Sequence, residues 1–277
     1  MNWQNEIDSS KRFKFGENWT NFLKNLQDTQ IEHAKNELSF WLGDIKDKTF
    51  LDMGSGSGLH SLCARMLGAT VYSFDYDEQS VECTKYLKEK YFPNDEHWKI
   101  EQGSVLDKNY LESLGTFDIV YSWGVLHHTG DMWKALEYAE IPVCKKGMLF
   151  IAIYNNQGFQ SKVWQKIKKT YVEHNNLVKL ILLYMSIFYF EGRSMLGRII
   201  KRQNPFSFQH WRQYKKERGM SRLHDYIDWI GGYPFETAKP EEIFNFYKQK
   251  SYNLDKLFTC GGGLGCNQFV FIKSTEK

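Results

Sequence analysis

Thr49-Phe50-Leu51-Asp52-Met53-Gly54-Ser55-Gly56-Ser57-Gly58-Leu59-His60 is the stretch from which the rest of the chain is read. An apolar run ends at an acidic residue, and three glycines follow at alternate positions. Leu59-His60-Ser61-Leu62-Cys63-Ala64-Arg65 then spaces its apolar residues as a helix. Strand, glycine turn and helix together open a nucleotide-binding α/β unit. Glycine lets the backbone turn sharply and leaves room for a ligand to approach. The helix start behind the turn offers unpaired N–H groups to a polar or anionic ligand.

Spacing separates two cofactor classes. A dinucleotide turn, G-x-G-x-x-G, would need glycine at position 59, where this chain has Leu59. The chain instead has G-x-G-x-G, with Asp52 two residues before the first glycine. The next apolar run, Ala69 to Phe74, ends at Asp75, where a carboxylate can accept hydrogen bonds from a ribose diol.

The pattern continues outward from the turn. Glu78 to Tyr91 reads as a helix with Val81, Tyr86 and Leu87 inward, broken by Pro93-Asn94. Trp98 to Glu101 alternates as a third strand that ends at Gly103-Ser104-Val105-Leu106-Asp107. Phe117 to Ser122 is a buried fourth strand running into Trp123-Gly124-Val125-Leu126-His127-His128-Thr129-Gly130. A helix over Asp131 to Val143 and a turn at Lys145-Lys146-Gly147 lead into a fifth strand, Met148 to Ile153. Such alternation predicts a doubly wound, mostly parallel sheet.

Upstream, residues 17–42 space Trp19, Phe22, Leu23, Leu26, Ile31, Ala34, Leu38 and Trp41 as amphipathic helices, stopped at Gly43. Arg12-Phe13-Lys14-Phe15 before them is a candidate lid. Downstream, residues 155–235 exceed what a crossover helix needs. They hold a helical stretch at Val163 to Val172, the very apolar Leu177 to Phe190, and a charged region near Trp211 to Arg218. Pro240 to Lys250 is a helix with proline at its start. Leu254 to Phe258 and Phe269 to Lys273 close as a strand pair around Cys260-Gly-Gly-Gly-Leu-Gly-Cys266. That loop lacks the Lys-Ser/Thr ending of a phosphate loop, so it reads as a hairpin turn.

The expected organisation is one domain over 1–277. Its parts are N-terminal helices at 1–45, a core at 46–154 and 236–277, and a helical cap at 155–235. The 277 residues are enough for one substantial core, and 42% hydrophobic with 25% charged residues fits a globular protein. Five irregularly spaced cysteines show no C-x-x-C pair or zinc pattern. With no apolar signal core near the start, this suggests reduced thiols and a cytoplasmic location. No metal is expected. The net charge of +3 is uneven: residues 156–222 carry 14 Lys/Arg against three Glu, or +11, which leaves −8 elsewhere. Such a segment attracts phosphate or carboxylate groups.

Asp-x-Gly-x-Gly-x-Gly with the second acid at Asp75 resembles the class I S-adenosylmethionine-dependent methyltransferases. SFDYDEQSV, GSVLD, YSWGVLHHTG, IAIYN and GGYPF look like a bacterial subgroup with no shared substrate to name. The resemblance implies a Rossmann-like seven-stranded sheet with a final antiparallel strand, and S-adenosyl-L-methionine as cofactor. It places Gly54, Ser55 and Gly56 at the amino-acid part of the cofactor, and Asp52 under the turn or at the ammonium. Asp75, with Tyr76 beside it, falls at the ribose, Ser104 and Val105 at the adenine, and Trp123 beside the reacting methyl. Asp107 either bonds the adenine amino group or caps the next helix.

The base is less specified. His127 and His128 stand where the fourth strand opens; His224, beside Asp225, and Tyr154, at the end of the fifth strand, are the other candidates. For the acceptor, Arg193, Arg198, Arg218 and Arg222 are the expected contacts, because guanidinium pairs bidentately with carboxylate or phosphate. Tyr233, in the Gly231-Gly232-Tyr233-Pro234 turn, returns over the pocket. The expected activity is methylation of O or N on an anionic small molecule or a surface-glycan precursor. The alternatives are an RNA acceptor, or a lipidic, quinone-like acceptor at a membrane surface. Leu180 to Phe190 is too short to span a bilayer. It is expected to be buried against the body or in a homodimer interface, with docking on anionic lipid as the other reading.

Overall fold

A computed structural model describes residue 13, residues 15–205 and residues 222–275; the side chains of Arg222, His224, Asp225 and Asp228 are outside the described set. Seven strands form one sheet: β1 (Thr49–Met53), β2 (Thr70–Asp75), β3 (Trp98–Gln102), β4 (Phe117–Trp123), β5 (Val143–Tyr154), β6 (Tyr252–Phe258) and β7 (Cys266–Lys273). Their order is β3-β2-β1-β4-β5-β7-β6. The β1–β2, β1–β4, β2–β3 and β4–β5 pairs are parallel, and β7 runs antiparallel between β5 and β6. This is the doubly wound, mostly parallel sheet that the sequence predicts, closed by an antiparallel strand. Strand order reverses between β1 and β4, so their carboxyl ends flank the crevice where ligands bind in open α/β sheets.

Helices cover both faces. On one lie α1 (Phe15–Leu23), α2 (Asp28–Leu42), α3 (Leu59–Met66) and α4 (Glu78–Tyr91); Ile31, Leu38, Leu62 and Leu87 pack there against Phe50, Val71 and Phe150. On the other lie α5 (Lys108–Ser113), α6 (Met132–Ala139) and α10 (Pro240–Gln249), joined by α7 (Phe159–Glu173), α8 (Asn176–Ile200) and α9 (Arg222–Gly231) between β5 and α10. Leu51, Met53, Val120 and Ile151 fill that side with Leu136 and Tyr247. Gly43, at φ 70°, ends α2, and Pro240 opens α10 as the spacing implies.

Three sequence expectations are corrected. The helix read over Asp131 to Val143 stops at Ala139, because Val143 already pairs with Phe117 and starts β5. Lys145-Lys146-Gly147 therefore lies within β5, with Lys146 at φ 62° and the register shifting nearby. Tyr86 points outward on α4, whereas Val81 and Leu87 are buried. The apolar run at 177–190 is not buried: in α8 only Leu183 and Ser186 are, and Leu177, Leu180, Ile181, Tyr184, Met185 and Phe188 are exposed. Apolar content alone cannot say which face of a helix finds a partner. The region from Trp211 to Arg218 lies outside the described residues.

At the amino end of the sheet, Asp118 ties β4 to β1. Its Oδ2 accepts the Thr49 amide (2.8 Å) and hydroxyl (2.7 Å), and its own amide donates to Thr49 Oγ1 (2.9 Å). The Thr49 amide bond, more than any other contact, holds this carboxyl below its ordinary value. A depressed folded pKa contributes stability that is present above the unfolded value and lost as pH falls through the folded one. Thermal unfolding should therefore show Asp118→Ala less stable than the parent at pH 7, with the gap narrowing as pH drops below 4.

Candidate active site

The glycine turn is held by backbone bonds at the carboxyl edge. Phe74 O accepts both the Gly54 amide (2.9 Å) and the Ser55 amide (3.0 Å), pinning the turn to β2. Asp75 completes this: Oδ2 accepts the Gly56 amide at 2.8 Å and Oδ1 the Asp77 amide at 2.9 Å. Gly54 has φ 88°, and a Cβ there would lie 2.4 Å from Val125, so only glycine fits between β1 and the loop after β4. Gly58 precedes α3 at φ 80°, and that helix start has no side-chain cap. Leu59 N–H makes a long bond to Ser57 Oγ (3.4 Å), and the amides of His60 and Ser61 behind it are positioned for a ligand.

Beneath the turn, Asp52 is buried and accepts from Ser61 Oγ at 2.5 Å. Ser61 also bonds Ser73 Oγ (2.7 Å), which accepts from Trp98 Nε1 at 2.9 Å. Asp52 thus supports the turn from below. Desolvation raises its pKa to about 7 against the Ser61 bond, and burial raises Asp75 to about 6. Neither Ser61 nor Ser73 stands out in the sequence; the network exists because α3 lays Ser61 over β1 and β2.

Helix α1 roofs the turn. A Cβ on Gly56 would lie 3.1 Å from Trp19 Nε1, so the indole sits directly over the glycine. The Gly16 amide donates to Asp77 Oδ2 at 2.8 Å, and the Phe15 ring lies 5.1 Å from that of His128. Phe13 packs against Gly231 in α9, which places part of the suspected lid; Arg12 and Lys14 lie outside the described residues.

The candidate bases separate. His127 is fully buried; its Nδ1 accepts the Tyr154 amide at 3.4 Å, so Nε2 carries the proton and no lone pair remains for a substrate. Desolvation holds it neutral, well below the ordinary imidazole value. His128 is half-buried and its Nδ1 donates to Pro234 O at 2.6 Å, which makes Nε2 the basic nitrogen. Tyr154 packs between His127 (4.0 Å between rings), Phe235 (5.2 Å) and Trp229 (5.5 Å). Buried Lys168 lies over Trp229 at 4.0 Å and Phe235 at 4.8 Å, a cation among aromatic faces. His224 lies in α9, but its side chain is not described.

Among the residues expected at the adenine and ribose, Ser104 Oγ accepts the Leu106 amide (3.1 Å) and Val105 packs into the core, while Tyr76 O accepts from Gln102. Asp107 caps α5 through the Tyr110 amide at 3.1 Å. Of the expected acceptor contacts, Arg193 donates to Tyr189 Oη (3.0 Å) and Arg198 to Ser194 Oγ (3.0 Å), both within α8. Arg218 and the Arg222 side chain are outside the described set. Tyr233 is half-buried and joins the apolar cluster of α7, α8 and α9.

A cavity of about 440 Å³ opens beside the turn, between α1, α2, the start of α3 and the β4–β5–β7 face. Trp41, Tyr121, Trp123 and Phe150 form aromatic walls, and His60 lies 5.1 Å from Tyr121. Burial lowers the His60 pKa to about 4, so the ring is neutral. Gln268 lines this space, and its Oε1 is buried without a hydrogen-bond partner among the described residues. Trp123 was expected here; Trp41, His60 and Gln268 were not, since they converge from three separate elements.

Residues 51–151 match a family described as a methyltransferase domain. Over those residues the chain carries a methyltransferase domain. A ribosomal protein L11 methyltransferase from Acinetobacter baumannii is 38% identical over 90 residues, 31% of this chain and 26% of that protein. The chain thus matches about a quarter of the length of such relatives. A ubiquinone biosynthesis O-methyltransferase from Pelagibacter ubique is 25% identical over 167 residues, 56% of this chain and 67% of that one. Among solved structures, magnesium protoporphyrin IX methyltransferase from Synechocystis PCC 6803, with bound SAH, superposes with TM-score 0.52 at 12% identity, over 89% of this chain and 83% of that one. That likeness shows the shared fold.

The chain's own geometry fits S-adenosylmethionine. Uncapped α3 amides suit a carboxylate, and Asp75 oxygens keep lone pairs beyond those given to Gly56 and Asp77 for ribose hydroxyls. A raised carboxyl pKa means that stability falls as pH rises from the unfolded value to the folded one. In the ligand-free protein, Asp52→Asn should therefore be more stable than the parent at pH 8, by a few kcal/mol, with the advantage shrinking as pH falls from about 7 toward 4. Calorimetric scans of both proteins between about pH 4 and pH 8 check this sign.

Proposed function

We propose that the protein transfers the methyl group of S-adenosylmethionine to an oxygen or nitrogen of a small, flat, largely apolar acceptor held beside Trp123. The observation that carries this reading is the aromatic cavity. Its volume lies in the range of small-molecule sites, its walls suit a planar ring, and it adjoins the glycine turn. Gln268 lines the cavity with a side-chain amide whose oxygen has no partner among the described residues, and that amide can bond a hydroxyl or amine on the acceptor once the side chain turns toward it. The chain would act mainly by proximity and alignment, holding the acceptor atom in line with the methyl carbon. When bound, the cofactor supplies an activated methyl group.

The ubiquinone relative gives this reading further support, since ubiquinone is a lipidic quinone and the match covers more than half of this chain. The L11 relatives match over a stretch too short to carry an acceptor. Selection of an anionic acceptor by the cap arginines has less support, because Arg193 and Arg198 donate within their own helix.

Incubation with isotopically labelled cofactor and cell extract, followed by mass spectrometry, should identify a methylated ring-bearing product. With that acceptor, Gln268→Leu should lower kcat/KM by about tenfold, the worth of one buried hydrogen bond, while S-adenosylhomocysteine affinity is unchanged. A polyanionic product, or unaltered kcat/KM in the variant, would count against the reading.

A further inference from the structure

Helix α8 has two unlike faces. Its inner face packs through Leu183, Ser186 and the half-buried Leu182, Ile187 and Phe190 against Tyr171, Val172, Tyr226 and Ile230 of α7 and α9. Its outer face carries Leu177, Leu180, Ile181, Tyr184, Met185 and Phe188, at i, i+3, i+4, i+7, i+8 and i+11, with Phe188 81% exposed. Leu196, Ile199 and Ile200 extend the apolar surface toward the C-terminus. The first six make one stripe along the helix, and the last three resume it beyond Glu191 and Gly192. So many exposed large apolar side chains on one helix are more than scattered surface residues.

The charges beside this stripe indicate what covers it. Arg193, Arg198, Lys201 and Arg202 cluster at the C-terminal half of α8 and just beyond it. Between residues 176 and 205 the single acidic residue is Glu191, whose carboxylate accepts from Tyr226 Oη at 2.6 Å. An apolar stripe with a basic border matches the acyl boundary of a bilayer under anionic headgroups. A second copy of the chain would bring one basic border against another. Among the described residues no helix is long and apolar enough to cross a membrane, which leaves α8 lying in the surface plane.

We propose that the outer face of α8 docks the protein on the surface of an anionic phospholipid bilayer. This rests on the helix face and its charges, independently of the acceptor cavity, and is read without turnover. The experiment is flotation of the full chain with vesicles of phosphatidylcholine alone or mixed with about equal phosphatidylglycerol. The protein should float with the mixed vesicles and remain largely behind with the neutral ones, and the bound fraction should fall as salt rises from about 0.05 M to 0.5 M. Ile181→Ser combined with Phe188→Ser should reduce binding by at least about tenfold, the loss expected when two bulky side chains no longer insert. Unchanged S-adenosylhomocysteine affinity in that variant confirms that it is folded. Should the variant fail to fold, Arg193→Gln with Arg198→Gln should weaken binding to the mixed vesicles alone. The proposal is overturned if the parent does not float, floats equally with neutral vesicles, or forms a dimer in solution that the Ile181/Phe188 variant dissolves.

Discussion

The fold hangs on the bond from the Gly56 amide to the Asp75 carboxylate, together with the two amides that Phe74 O accepts. These three contacts fasten the end of β1 to the end of β2 and force the turn between β1 and α3 into left-handed conformations. Glycine supplies those conformations without the cost borne by other residues. Once the turn is fixed, α3 must leave at one angle, its first amides must point over the crevice, and Ser61 must fall on Asp52. The same carboxylates that order the turn are held in a poorly hydrated place. This is the usual exchange at a ligand site, where stability is surrendered so that charge stands ready for a partner.

Much of this was legible in the chain itself. Alternate glycines after an apolar run, with an acid ending the next run, have few physical solutions, and the sheet followed from them. The closing hairpin was also legible, because Gly261 to Gly265 has nothing to follow it but a strand. Boundaries read less well where two elements compete for one segment. Ile141 and Val143 are apolar enough to prolong α6, yet Pro142 between them cannot continue a helix, and β4 offers Val143 a partner at Phe117.

What the sequence could not reveal depends on convergence. Trp41 from α2, His60 from α3 and Gln268 from β7 are 19 to 227 residues apart, and no periodicity announces that they share a cavity. Histidines show the same limit. His127 and His128 are equivalent in composition, but one has its ring nitrogen spent on the Tyr154 amide and the other is braced by Pro234 O. Lys168 would pass for a solvated residue on a basic helix until Trp229 and Phe235 are found against it.

Strand order has a bearing on how the protein is made. β7, late in the chain, enters the sheet between β5 and β6 rather than adding to an edge. Until residues 266–273 have left the ribosome, β5 presents a long, apolar strand with one side unpaired, from Met148 to Tyr154. Such an edge is a template for pairing with another chain. A nascent molecule therefore carries this apolar strand half-open while residues 155–265 are added. The yield of soluble protein is then set by how quickly the last hairpin arrives, and slowing translation before it should favour aggregation over folding.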